Sequence, residues 1–370
     1  MADRERIFTF IREVYGENAK YRIPERWQWQ FVDNPFSPLR GTDQLPVFIA
    51  VDPAGRVVGQ TCTMYEPLAS GEAEHTVGWS VDTFLLPECR GKGVGFELLK
   101  ASLDSNPLYL SLRMSDRRRV IGRSQGMEEL SPVTTYVRSL YPQPEVVRRA
   151  AARLSRPFGA VVEALRLDWA AASAMGVLRS AREHWRWLRR DRQIIIHPID
   201  GFGAEADELW EHLAPKFGAL VRRDRTYLNW KYCRQPHMQY HCCMARRGQE
   251  PCGHVVLRKC RPPEPNYGII ADVFADPDDA ALLRTLWSFG VRELRKQGMR
   301  SVWAATSHPQ YASAAQFCGF RPTAEAVPMF RAADSAMDTS LPRQPGEWLL
   351  GMGDHDWDQF PLTLAWGGNS

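Results

Sequence analysis

Five of the six residues Arg90-Gly91-Lys92-Gly93-Val94-Gly95 are glycine or cationic, and they form the stretch of this chain best suited to hold an anion. Glycine brings bare backbone amides within reach of a phosphate, and the arginine and lysine add charge. Before the loop, Val81, Thr83 and Leu85 alternate with Asp82, Phe84 and Leu86, the period of two of a strand, which Pro87 ends. After it, Phe96, Leu99 and Leu103 share one stripe of a helix. The loop therefore lies at a helix N-terminus, where the first amides lack intrahelical acceptors and the helix dipole is positive. Two other phosphate loops are excluded by spelling. No Ser or Thr follows the Gly-Lys pair, and the glycine spacing differs from the dinucleotide-binding fingerprint.

Arg90-x-x-Gly93-x-Gly95 behind a strand that ends in Pro87 resembles the acyl-CoA pyrophosphate loop of the GNAT (GCN5-related N-acetyltransferase) superfamily. The resemblance implies an α/β fold, with a mixed, mostly antiparallel sheet that splays open near this strand. It also implies acetyl-CoA or another acyl-CoA as co-substrate, with pantetheine along the strand and the acyl group passed to an amine. Cofactor contacts then fall to Phe84, Leu85, Arg90, Gly91, Lys92, Gly93, Val94 and Gly95, and no metal is required.

Amide formation from a thioester needs a neutral amine, a site for the oxyanion and a proton for the thiolate. The amine is the harder part, because an alkylammonium titrates near 10 and a thiol near 8.5. Asp82 is the ionisable group on this strand segment and is the candidate base, while the amides beside Phe84 and Leu85 form a candidate oxyanion site. Asp272 occupies the matching place in a second copy without the loop, so a structural role for this aspartate stands beside the catalytic one. Many members of the superfamily place a proton-donating tyrosine four residues before the glycine that closes the short helix. Here that position is Gly122, which leaves Ser115, Ser124 or water as the acid.

The second copy is visible as an internal repeat. Residues 4–15 form an amphipathic helix closed by Gly16, as Glu208 to Phe217 are closed by Gly218. Trp29 to Pro35 matches Trp230 to Pro236 without a gap, and Asp82-x-Phe84-x-x-Pro87 returns as Asp272-x-Phe274-x-x-Pro277. Hairpins, a strand at Leu108–Leu112 or Ser301–Ala305, and a short helix ending at Gly126 or Gly319 complete each half. After Pro277 the chain reads Asp278-Asp279, with no glycine and two acids that repel a pyrophosphate. The expected organisation is a GNAT-like acyl-CoA-binding domain at 1–142, a basic helical connector at 143–192 and a degenerate GNAT-like domain at 193–370. Gln193 to His197 reads as a first strand of the second copy and Trp348 to Met352 as a late strand, and strands from the middle or the C-terminus are expected to complete the first sheet.

At 370 residues, with 44% hydrophobic side chains, the chain is long enough for two cores. A net charge of +4 argues against a nucleic-acid partner. Eight scattered cysteines and a charged N-terminus from Asp3 to Arg6, unlike a secretory leader, suggest reduced thiols and a cytoplasmic protein. No apolar run reaches the length of a membrane span. Residues 145–192 carry eleven arginines against five acids, interleaved with apolar residues, so peripheral contact with an anionic membrane is an alternative to a solvated connector. The cysteines and histidines from His241 to Cys260 lack metal-ligand spacing. Asp354-His355-Asp356-Trp357-Asp358 has the composition of a cation loop or a glycosyltransferase carboxylate pair and reads best as a solvated C-terminal turn.

The reading is an acyl-CoA-dependent N-acyltransferase acting on an amine, with resemblance pointing to an amino sugar or a cell-envelope or polysaccharide precursor. The rival readings are a FemABX-like aminoacyl transferase and a non-catalytic CoA-binding protein.

Overall fold

Residues 29–32 and 230–233 take the same uncommon backbone path. In each, an amide bonds the carbonyl five residues back, Asp33 N to Gln28 O and Arg234 N to Asn229 O, both at 2.9 Å. The two turns face each other, and Trp29 stacks on Trp230 with ring centroids 4.7 Å apart and planes 18° from parallel. Trp29 Nε1 donates to the Trp230 carbonyl at 3.1 Å. The repeat in the sequence is thus a repeat in space, and its two copies meet at this tryptophan pair.

The computed structural model describes residues 3–141, 144–154, 162–163, 165–188, 190–260, 266–333 and 347–359. The strands, in chain order, are β1 (Val47–Val51), β2 (Val57–Ser70), β3 (Ala73–Leu85), β4 (Leu108–Ser111), β5 (Glu128–Glu129), β6 (Val133–Ser139), β7 (Ile194–Ile199) and β8 (Ala219–Val221), followed by β9 (Tyr240–Arg247), β10 (Glu250–Cys260), β11 (Tyr267–Ala275), β12 (Ser301–Thr306), β13 (Arg321–Ala326), β14 (Met329–Ala332) and β15 (Trp348–Leu349). The helices used below are α1 (Arg4–Tyr15), α2 (Val94–Asp104), α3 (Asp116–Ser124), α4 (Pro144–Leu154), α5 (Leu167–Leu188), α6 (Ala204–Leu213), α7 (Ala280–Lys296) and α8 (Pro309–Phe317). The second-copy helix α6 starts four residues before the sequence expectation, and its last turn tightens into a 3₁₀ segment through Lys216.

One sheet runs β15-β8-β2-β3-β4-β14-β5 with β1 paired to β2, and the other runs β13-β6-β12-β11-β10-β9-β7. Strands cross between the halves. β6, from the first half, lies between β12 and β13 of the second sheet, and β14, from the second half, lies between β4 and β5 of the first. β8 and β15 extend the first sheet beyond β2. The sheets therefore do not divide at residues 142 and 193. One apolar core runs through both, from Ile7 and Trp79 to Leu286 and Met352.

In both sheets a parallel pair opens into a splay. β3 and β4 pair only at Gly78↔Tyr109 and Trp79↔Leu110, and β11 and β12 only from Tyr267↔Ser301 to Ile269↔Trp303. Past those points the strands separate. An extra residue bulges β3 where Gln60↔Phe84 gives way to Cys62↔Val81, and Asp82 lies in this bulge with φ 45°.

Candidate active site

The splay of β3 from β4 opens into a cleft of about 1220 Å³. Ser80 to Leu85 form one wall, the loop at Arg90, Gly91, Gly93 and Gly95 forms the mouth, and Ser111 to Arg119 form the opposite wall. Tyr15 and Arg22 close one side, and Glu325 to Val327 with His355 to Trp357 close another. Of the sequence-predicted cofactor residues, Phe84, Leu85, Arg90, Gly91, Gly93 and Gly95 line this cleft, while Lys92 and Val94 stand in the same loop behind them.

The loop has the features an anion requires. Gly93 is the N-cap of α2 and supplies no side-chain acceptor to the first amides. Gly91 and Gly93 have φ of 76° and 83°, in the left-handed region that favours glycine, and a Cβ at either would point into open space. Arg90 lies over the Phe84 ring, 5.8 Å from its centroid, and donates to the Leu85 carbonyl at 3.3 Å, so its charge is held at the cleft mouth.

The second copy has filled the equivalent places with its own chain. Asp279 caps α7, its Oδ1 accepting from Leu282 N at 2.9 Å, and its other oxygen pairs with Arg247 at 2.7 Å. The splay between β11 and β12 holds residues 350–354. Ser307 N donates to Leu350 O at 2.9 Å, and Gly353 N donates to Ala271 O at 2.8 Å. What remains is a cavity of about 20 Å³ beside Asp272, room for about one water. A carboxylate caps the helix whose counterpart in the first half is uncapped, and the chain's own peptide fills the splay that is open in the first half.

Asp82 is engaged on both oxygens. Arg22 Nε donates to Oδ1 at 3.1 Å and Arg26 Nη1 to Oδ2 at 2.9 Å. In the second copy, Arg223 makes the matching pair with Asp272 at 3.2 Å, and His254 Nε2 is 2.8 Å from the other Asp272 oxygen. Burial alone would raise Asp272, but Arg223 and His254 outweigh it and hold the carboxyl down to about 2. The arginine–aspartate pair thus recurs in a half whose cleft is filled, which fits the structural reading of this aspartate.

The proton-donor position is also accounted for. Gly122 faces a methionine pair, where an added Cβ would lie 3.1 Å from Met127 Sδ and 3.3 Å from Met329 Cε. A tyrosine there would need both methionines to shift. Ser115 lines the cleft and caps α3, accepting from Arg118 N at 3.4 Å, whereas Ser124 Oγ donates back to the Ile121 carbonyl at 2.8 Å. Arg118 extends between the strands toward Thr61 Oγ1 at 3.4 Å and Ser80 Oγ at 3.3 Å, and burial lowers the proton affinity of this guanidinium.

The acidic segment 354–358 corrects the expectation of a solvated turn, because all five side chains are buried. Opposite charges make this burial tolerable. Arg223 Nη2 donates to both Asp354 oxygens, at 3.0 and 2.9 Å, and Arg26 holds Asp356 at 2.9 Å, while the neutral Tyr240 hydroxyl donates to Asp358 at 2.7 Å. His355 Nε2 donates to the Ser80 carbonyl at 2.8 Å, where β3 leaves β4, and its Nδ1 lies 2.6 Å from Asp356 Oδ1. Burial opposes charge on this imidazole, but Asp356 and the Ser80 carbonyl outweigh it and raise its proton affinity. One segment therefore plugs the second splay and forms part of the first cleft. Sequence reading missed it because consecutive acids look solvated until their arginines are placed. Glu325, on β13 at the edge of the second sheet, also reaches the first cleft. It is exposed, and nothing in its local sequence marks it.

All eight cysteines are free thiols, and the described residues contain no group of three or more metal-ligating side chains.

No protein-family model and no curated protein matches the chain. Solved structures do match. A GCN5-related N-acetyltransferase from Anabaena variabilis aligns with 90% of this chain and 70% of its own length at 11% identity and TM-score 0.55. A conserved Enterococcus faecalis protein of unknown function, named as a probable N-acyltransferase, gives the same coverage at 10% identity and TM-score 0.53. The glucosamine N-acetyltransferase region of a fungal multi-domain beta-N-acetylglucosaminidase aligns with 89% of this chain and 37% of its own chain at 11% identity and TM-score 0.52.

Proposed function

We propose that this chain, in which the GNAT fold is laid down twice, transfers an acyl group from acyl-CoA to an amine in the cleft of its first sheet. The observation that carries this reading is the contrast between the halves. One splay is an open cleft beside an uncapped helix N-terminus, and the other holds residues 350–354 beside an Asp279 cap. Acyl-CoA, when bound, would supply the activated thioester, and the amides of Gly93 to Gly95 with Arg90 and Lys92 beside them would hold its pyrophosphate. The β3 edge that β4 leaves from Ser80 onward offers backbone groups to the pantetheine and the acyl carbonyl.

Deprotonation of the amine needs a group that is not already neutralised. Asp82, held by two guanidiniums, anchors the bulge. Glu325 on the facing wall, exposed and outside the salt bridges formed among the described residues, is placed to accept the proton directly or through water. Arg113, Arg117, Arg118 and Arg119 on the other wall give the acceptor side a positive field. That field suits an amine that also carries an acidic group, such as a nucleotide-linked amino sugar or an envelope precursor. The glucosamine N-acetyltransferase among the structural neighbours supports an amino-sugar acceptor.

A second reading, CoA held without turnover, is favoured by the loss of the tyrosine position at Gly122. Calorimetric titration with CoA and acetyl-CoA, then free-thiol release with a panel of amines and amino sugars, separates the two. Gly93→Asp places a carboxylate on the anion site and a Cβ at φ 83°, and binding should fall at least about a hundredfold. Equal binding by a folded Gly93→Asp protein removes the site. Binding without steady thiol release leaves the second reading.

A further inference from the structure

The long helix α5 leaves an apolar stripe facing outward. Its side toward the body of the protein joins the buried Ala172 to charged and aromatic side chains. Glu183 pairs with Arg295 at 2.5 Å and with Arg138, and the Arg292 guanidinium lies over the Trp187 ring at 4.7 Å. The solvent side is apolar. Leu167, Val177, Leu178, Trp185 and Leu188 fall within about 100° of the helix circumference at 3.6 residues per turn, and all five are exposed, Val177 and Leu178 at 70%. Ala170, Ala174 and Ala181 fill the same stripe.

Charge is concentrated on the same unit. Residues 145–192 carry eleven arginines against five acids, while the rest of the chain has 36 basic side chains against 38 acidic ones. This net positive charge is hostile to a second copy laid on the same face, because two like-charged units would meet. Exposed Trp185 adds an amphipathic ring near the C-terminal end of the stripe. No helix among the described residues is long and apolar enough to cross a bilayer.

We propose that the outer face of α5 is a docking surface for an anionic lipid bilayer, on which the helix lies in the interfacial plane with its apolar stripe in the headgroup–acyl boundary and the net positive charge of residues 145–192 drawn to acidic headgroups. The site is separate from the cleft, and the proposal does not depend on the cleft's chemistry. Each arginine near an anionic surface contributes about a fivefold gain in partition. Binding should therefore be steeply salt-sensitive.

The test is flotation of the intact protein with vesicles of phosphatidylcholine alone and of phosphatidylcholine mixed with phosphatidylglycerol, at low and high salt. Flotation only with the mixed vesicles, weakened by salt, is expected. The Val177→Ser, Leu178→Ser double variant changes only exposed side chains and should lower partition more than about tenfold, with far-UV circular dichroism and CoA titration unchanged. Failure of the parent protein to float with anionic vesicles overturns the proposal, as does equal flotation of the variant. A dimer in sedimentation equilibrium that the double substitution disperses overturns it in favour of a second copy.

Discussion

At the scale of single residues, the buried acidic segment makes its own contribution to stability. Burial pushes Asp358 up to about 6, above the opposing pull of Lys231, the Tyr240 hydrogen bond and Arg258. A carboxyl that titrates higher when folded than when unfolded binds protons preferentially in the folded state between about pH 4 and 6, so stability falls as pH rises through that window. A rise from the ordinary aspartate value near 4 to about 6 corresponds to about 3 kcal/mol as an upper figure. Asp358→Asn removes the titration and keeps the shape. Relative to the parent it should gain on the order of 2 kcal/mol between pH 4.5 and 7.5, read from urea midpoints, and a pH-independent difference refutes the assignment. Asp82 and Glu325 separate in another way. Asp82→Asn loosens two guanidiniums and should lower the melting temperature, with a loss on the order of 2–3 kcal/mol. Glu325→Gln, at an exposed position, should leave melting unchanged and lower kcat with little change in KM for acyl-CoA. The opposite pattern returns the base to Asp82.

At the scale of elements, the strand–loop–helix unit was legible because its signals are local: a period of two, a proline stop, glycines and a helical stripe. The degeneracy of the second copy was legible from Asp278 and Asp279, and the structure adds that Asp279 is the cap itself. Two features were not legible. β8 and β14 have three and four residues, too few for a period, and their partners lie far away in sequence. The plug at 350–354 is held partly by main-chain bonds that any sequence can make and partly by Asp354, whose partner Arg223 lies 131 residues away, and Gly353 adds a steric requirement. A Cβ there would lie 2.1 Å from Tyr232 Oη and 2.8 Å from Ala271 O. Gly353→Val should therefore drive the plug out of the splay, cost roughly 2–3 kcal/mol and, by pulling His355 from Ser80, weaken acyl-CoA binding in the other half. Unchanged calorimetric affinity in this variant means that the segment does not couple the two clefts.

At the scale of the molecule, strand exchange decides whether the halves are separate folding units. β6 bonds to β12 and β13 across a register of Val133 to Ser139, and β14 bonds to β4 from Leu108 to Ser111. Neither sheet keeps its pairing if the other half unfolds. The Lys231–Glu66 pair, 2.8 Å apart with both side chains fully buried, adds a charge that is left alone when the halves part. Unfolding in urea should therefore be a single transition, coincident by tryptophan fluorescence and far-UV circular dichroism. Ligand linkage gives the sharper test. At a hundredfold excess over its dissociation constant, acyl-CoA stabilises whatever unfolds with its site by about 2.7 kcal/mol. If the molecule is one unit, that gain should also slow hydrogen exchange by global opening at β10 and β11 amides, in the half whose own cleft is filled. Protection confined to residues of the first sheet would show two units joined only by a chain crossing, and the tryptophan stack would then be a contact rather than part of a common core.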